Sequence, residues 1–159
     1  MTPIVAVVGG STCSPEEADL ATAVGRLLGE RRVALVCGGL GGVMEAAARG
    51  ARTAGGLTIG ILPGDDPAAA NAYIDVSLPT GMGEMRNALI VRIAGAMIAI
   101  GGGWGTLSEI ALARRIGTPV VGLRDAFAPG VQIPRVATPE EAVAWALQAR
   151  RWSGGDSNP

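Results

Sequence analysis

Four short segments collect most of the residue types in this chain that can hold an anion. They are Gly9-Gly10-Ser11-Thr12, Gly38-Gly39-Leu40-Gly41-Gly42, Thr80-Gly81-Met82-Gly83-Glu84-Met85-Arg86-Asn87 and Gly101-Gly102-Gly103-Trp104-Gly105-Thr106. Glycine lets backbone N–H groups approach a phosphate closely. A helix that starts at such a loop adds about half an elementary positive charge at its N-terminus. Thr106 and the amides of Gly102, Gly103, Trp104 and Gly105 are the phosphate candidates. Gly10, Ser11, Gly38, Gly39 and Gly41 are further ligand- or phosphate-binding candidates, with Ser11 and Thr12 set to contact a second polar part of the ligand. Arg86, with Asn87 beside it, falls in the first turn of an expected helix, where a cation opposes the helix dipole and wants a counter-anion. A ligand phosphate gripped by the guanidinium would serve, and a salt bridge to Glu84 or Glu109 is the competing reading. Trp104 either stacks on a planar ring of the ligand or packs against a partner subunit.

Several chemistries have no residues to run on. The chain has no histidine, and its 13 cationic side chains are all arginine. That removes a histidine base, a Ser-His-Asp triad, a Schiff-base lysine and the lysine of a Walker loop. Two cysteines, Cys13 and Cys37, stand far apart and read as small buried residues. They are too few for a structural zinc site, so no metal site is expected. A formal net charge of -1 gives no basic surface for nucleic acid. No apolar run is long enough for a bilayer, and the first residues lead into a strand rather than a signal peptide, so the expected location is cytoplasmic.

The elements that must position these loops follow from the apolar pattern. Apolar runs at 4–8, 33–37, 57–62, 74–78, 96–100 and 119–123, with a weaker one near 133–137, read as strands. They are continuous rather than alternating, as strands covered on both faces are. Between them lie helical patterns at 15–29, 43–54, 82–94 and 106–116, and a last one from Pro139 to about Arg150. Ser14-Pro15-Glu16-Glu17 opens the first with a capping box. A short helix after Pro67 is open, and so is the place of the fourth strand. The 82–94 stretch is apolar nearly all round, which predicts burial. The whole predicts an α/β fold: one Rossmann-like, doubly wound parallel sheet of six or seven strands with helices on both faces. Residues 1–151 form a single domain in this reading, and 152–159 a loose polar tail. Open sheets of this kind bind ligands where strands end. A dinucleotide reading fails, because Gly9-Gly10-Ser11 lacks the G-x-G-x-x-G spacing and the second strand ends without an acid.

The combination Cys37-Gly38-Gly39-Leu40-Gly41-Gly42-Val43-Met44, Thr80 to Asn87, and Gly101-Gly102-Gly103-Trp104-Gly105-Thr106-Leu107-Ser108-Glu109 resembles the LOG-like superfamily. The resemblance covers about residues 4–150. That superfamily holds nucleoside 5′-monophosphate phosphoribohydrolases and molybdenum cofactor carrier proteins. In the enzymes a P-G-G-x-G-T-x-x-E motif and an M-x-x-R-K motif carry catalysis, and the resemblance places Arg86 and Glu109 on their Arg and Glu. Gly101 stands where the enzymes have proline, and Asn87 where they have lysine. Both departures look closer to the carriers. Glu109 would stabilise an oxocarbenium-like sugar and should stay ionised near a helix N-terminus. It also reads as the closing residue of a capping box with Thr106.

The resemblance therefore implies a binding or carrier protein for a phosphate-bearing, nucleotide-like ligand, with molybdenum cofactor the best candidate. The alternative is a hydrolase that splits a nucleoside monophosphate; a nucleotide sensor without chemistry is a third reading. No cofactor is required in any of these, since molybdenum cofactor or a nucleoside monophosphate would be the ligand. The small phosphorylated ligand is the expected partner, together with further copies of the chain in a homodimer or homotetramer.

Overall fold

The continuous apolar runs become strands buried on both faces. The computed structural model describes residues 1–124 and 131–151. Its strands are β1 (Ile4–Gly9), β2 (Ala34–Cys37), β3 (Thr58–Leu62), β4 (Val76–Pro79), β5 (Ala96–Ile100), β6 (Val120–Leu123) and β7 (Arg135–Val136). They form one sheet in the order β4-β3-β2-β1-β5-β6-β7, and every pairing is parallel. The helices between them are α1 (Pro15–Glu30), α2 (Val43–Thr53), α3 (Asn87–Ile93), α4 (Trp104–Ile116) and α5 (Pro139–Ala149). The fold is the expected Rossmann-like α/β architecture.

Successive side chains of a strand point to opposite faces, so a sheet covered twice has two cores. Val5 and Val7 of β1 and Ile98 and Ile100 of β5 join Val24, Leu28 and Ala47 under α1, α2 and α5. Ala6 and Val8, with Met97 and Ala99, join Ile90, Val91 and Ile110 under α3 and α4. The chain runs outward from β1 through β2 and β3 to β4, then returns to place β5 on the other side of β1. The β1–β5 boundary is thus the point where the winding reverses, and the loops after these two strands part there.

The fourth strand is Val76–Pro79, two residues later at its start than the apolar run at 74–78 suggests. Asp75, just before it, is tied to Thr58 at the start of β3 through its side chain as well as its backbone: its carboxylate accepts from the Thr58 N–H and hydroxyl, and its N–H donates to the Thr58 carbonyl. The stretch after Pro67 is a single 3-10 turn, Pro67–Ala69, capped by the Asp66 side chain. The helix expected at 82–94 is divided. A 3-10 turn spans Gly83–Arg86 and α3 begins only at Asn87. The Gly81 and Gly83 N–H groups donate to the carbonyls of Gly64 and Pro63, which ties this turn to the end of β3 and keeps it out of an α-helix. Nor is that stretch buried throughout: Met82 and Met85 face solvent. Cys37 is buried as expected, whereas Cys13 is only partly covered. The expected tail at 152–159 lies outside the described residues. Among those described, no helix is long and apolar enough to cross a membrane.

The Ser14 capping box forms as the sequence predicts. Ser14 Oγ accepts from the Glu17 N–H at 3.1 Å, and Glu17 Oε2 accepts from the Ser14 N–H at 2.9 Å. Ser14→Ala should therefore cost about 1 kcal/mol. Urea unfolding should show a lower midpoint with an unchanged slope; a midpoint equal to wild type would mean the box contributes nothing.

Candidate functional site

The loops after β1, β2, β3 and β5 and the turn before α3 surround a cleft of about 430 Å³ at the C-terminal edge of the sheet. One wall is the start of α4. Its N-cap is Gly103, and the helix begins at Trp104, two residues before the expected start. Thr106 therefore lies inside the first turn rather than at the cap, and the capping box with Glu109 does not form. Gly103 and Gly105 have open space where a Cβ would stand, so their backbone is approachable from the cleft. Thr106 lines the same wall at 3% exposure, and its hydroxyl has no hydrogen-bond partner among the described residues. Backbone at a helix N-terminus that borders the cleft, with an unpartnered hydroxyl beside it, suits a phosphate or similar oxyanion.

Gly101 explains one departure from the enzyme pattern. Its φ is +54°, which the ring of proline cannot adopt. The Glu17 carboxylate also stands 2.1 Å from where a Cβ on residue 101 would be. The loop before α4 is thus shaped around glycine here.

Arg86 reaches the cleft from the turn before α3 and is buried. Its Nε donates to the Ile61 carbonyl at 2.8 Å and Nη2 to the Gly38 carbonyl at 3.4 Å. Nη1 donates to Asn87 Oδ1. The expected alternative, a salt bridge to Glu84 or Glu109, does not form among the described residues. Backbone carbonyls at the ends of β2 and β3 hold the guanidinium instead. A Cβ at Gly38 would lie 2.6 Å from Arg86 Nη2, so the absence of a side chain at 38 makes room for it. Burial lowers the Arg86 pKa, while Glu109, Cys37 and Glu84 pull the other way.

Glu109 follows Thr106 by one helical turn and lines the cleft at 7% exposure. Burial pushes its carboxyl up to about 7, and Arg86 offsets only part of that. The expectation of a fully ionised carboxylate is therefore corrected. The helix N-terminus lies a turn away, and loss of water outweighs it. The Cys37 thiol under the site is pushed up to about 11 by burial, so it is neutral and no nucleophile.

Of the residues singled out in the sequence, Gly10, Ser11, Gly38, Arg86, Asn87, Gly103, Gly105, Thr106 and Glu109 all border this one cleft. Four stand back from it. Gly39 packs on Leu62, Gly41 lies against the Ser11 carbonyl, and Gly102 sits behind Thr106. Trp104 is 86% exposed on the outer side of the helix start. The sequence did not mark Leu40, Met44 and Pro63, which give the cleft an apolar side, or Glu84 as a wall residue. Pro63 directly follows a strand and Leu40 interrupts a glycine loop, so position at a strand end was the available signal. Among the described residues no three metal-ligating side chains cluster.

Comparison with known proteins agrees with this fold. The model of the SLOG cluster4 family matches residues 2–147. An uncharacterized protein of Archaeoglobus fulgidus is 41% identical over 148 residues, covering 91% of this chain and 95% of its own. The molybdenum cofactor binding protein of Rippkaea orientalis superposes with a TM-score of 0.86 at 34% identity, over 93% of this chain and 97% of its own. The molybdenum cofactor carrier protein of Chlamydomonas reinhardtii does so with a TM-score of 0.80 at 28% identity, over 94% and 98%.

The state of Glu109 has a consequence for stability. A carboxyl whose folded pKa is raised contributes stability that is fully present below its unfolded value of 4.5 and lost as pH rises through about 7. Glu109→Gln abolishes that titration. At pH 4, below the unfolded value, the variant and wild type should melt alike. At pH 8.5 the variant should be the more stable, by on the order of 2 kcal/mol. Thermal unfolding at the two pH values checks this, and a difference that does not grow with pH would show that Glu109 is not buried as a carboxylate.

Proposed function

The chain belongs to the SLOG cluster4 family, and from that premise we propose that it is a binding protein that carries a phosphate-bearing, nucleotide-like ligand in the cleft beside α4. The observation that carries this reading is the wall formed by the open Gly103 and Gly105 backbone and the unpartnered Thr106 hydroxyl. These donors address the phosphate. The partly committed Arg86 supplies a positive charge near its oxygens, and Asn87, whose oxygen already accepts from Arg86, offers its NH2 as a donor. Leu40, Met44 and Pro63 give the planar part of the ligand an apolar surface. Molybdenum cofactor is the best candidate for the cargo. The names of the Rippkaea and Chlamydomonas proteins support it, as does a cleft with a phosphate end and an apolar side.

One observation favours a hydrolase as the second reading: Arg86 and Glu109 do meet in one cleft. Against it stands a carboxyl that is about half protonated at neutral pH. A neutral acid is poorly suited to stabilise a positive sugar, which the hydrolytic reading asks of it.

Purification from the native cell followed by mass spectrometry should find a pterin or nucleotide phosphate bound. Arg86→Ala and Thr106→Val should each weaken binding of that ligand, or of adenosine 5′-monophosphate, by about tenfold or more. Undiminished binding in both variants would place the anion elsewhere. Wild type should release no free base from nucleoside monophosphates, and robust release abolished by Glu109→Gln would establish the hydrolase instead.

Self-association belongs to the same proposal. Met82, Met85 and Trp104 are exposed, and so are Val76 and Leu78 on the edge strand β4. Light scattering should give two or four times the chain mass of 16.0 kDa; a monomer at micromolar concentration would count against it.

A further inference from the structure

The cleft offers its ligand one cation and two carboxyl groups: Arg86, Glu84 and Glu109. That balance is awkward for a phosphate. Glu109 is the acute case, because it is buried at 7% exposure, forms no salt bridge and accepts no hydrogen bond among the described residues. Arg86 offsets it only in part, since three of the guanidinium's N–H donors already go to Ile61, Gly38 and Asn87. Thr106 and Glu109 lie three residues apart on one helix face and line the same cleft, so an anion at Thr106 has the carboxyl as a near neighbour. Two like charges on one cleft wall, where burial already penalises the carboxylate, repel.

We propose that Glu109 meets the ligand as a neutral carboxylic acid, donating its O–H to an acceptor oxygen of the anionic group at the start of α4, so that capture takes up a proton from solvent and release returns it. This rests on the reading of the cleft as an anion site. It assigns Glu109 a role opposite to that of a fixed negative charge. It also makes affinity a function of pH: tight in mildly acidic or neutral conditions and weaker above.

The surroundings leave Glu109 as the group that can take this proton. The turn before α3 presents Arg86, which stays charged, and Glu84, which is exposed at the rim. β2 presents Cys37, already neutral. Of the elements packed on α4, strands β1, β5 and β6 carry no titratable side chain. α3 carries Arg92, whose charge is not among those acting on Glu109. Glu109 is already pushed up by burial without a ligand, and a neighbouring anion pushes it further the same way.

The test is calorimetric titration of the full chain with adenosine and guanosine 5′-monophosphate at pH 8, in buffers of different ionisation enthalpy. Wild type should take up close to one proton per ligand, and its affinity should fall by up to about tenfold per pH unit between 7.5 and 9. Glu109→Gln, a neutral donor at every pH, should take up none and keep its affinity across that range. Glu109→Ala, with no donor, should bind weakly at every pH. The ligand phosphate has a second pKa of about 6 and is another possible seat for the proton. Uptake that persists in Glu109→Gln would put the proton there and overturn the proposal. So would wild-type binding without uptake, which would mean that Glu109 binds as a carboxylate. Binding of neither nucleotide by any of the three proteins would instead defeat the reading of the cleft as an anion site, and this role for Glu109 with it.

Discussion

Parallel strands cannot be joined by tight turns, so the chain must cross back over a face of the sheet after each one. The rest of this structure depends on that constraint. The crossings cover both faces with helices, which is why β1 buries Val5 and Val7 on one side and Ala6 and Val8 on the other. They also bring the C-terminal end of every strand to one edge. Where the order leaves β1 for β2 on one side and β5 on the other, the loops part and a cleft opens. The cleft lies where it does for the same reason that the strands are apolar throughout.

Within the cleft, the electrostatics depend on how Arg86 is held. A buried guanidinium without partners is costly, and a carboxylate partner would cancel its charge. Strand-end carbonyls of Ile61 and Gly38 do something in between. They satisfy N–H donors and leave the positive charge in place. Glu109 has the opposite fate. It is buried near that charge and accepts no hydrogen bond among the described residues, and its carboxyl is raised toward neutrality. Such an arrangement costs stability whenever the carboxyl ionises, because a buried charge then lacks a hydrogen-bonded partner.

Position along the chain was enough to find much of this site. Glycine loops at strand ends, a threonine at a helix start and an arginine before a helix can each be read without coordinates, because strand and helix periods place them on one edge. That reading gathered nine residues that do border the cleft. It lost detail where contacts distant in sequence decide the backbone. The turn at Gly83–Arg86 is set by carbonyls of residues 63 and 64, and the start of β4 by the pairing of Asp75 with Thr58. Neither leaves a local mark. The apolar side of the cleft was hidden for a related reason: Met44 satisfies a helical pattern whether it faces a core or a cavity.

The sequence by itself determined the architecture and the chemical inventory. Continuous apolar runs alternating with amphipathic ones admit a doubly wound parallel sheet, and a chain without histidine or lysine is left with arginine, carboxyls, hydroxyls and backbone. Only the tertiary structure decided what state that inventory is in. Whether Arg86 meets a carboxylate or a carbonyl, and whether Glu109 closes a cap or faces a cleft, depends on three-dimensional packing. The protonation of Glu109 follows from how much water that packing removes, a quantity no stretch of sequence contains.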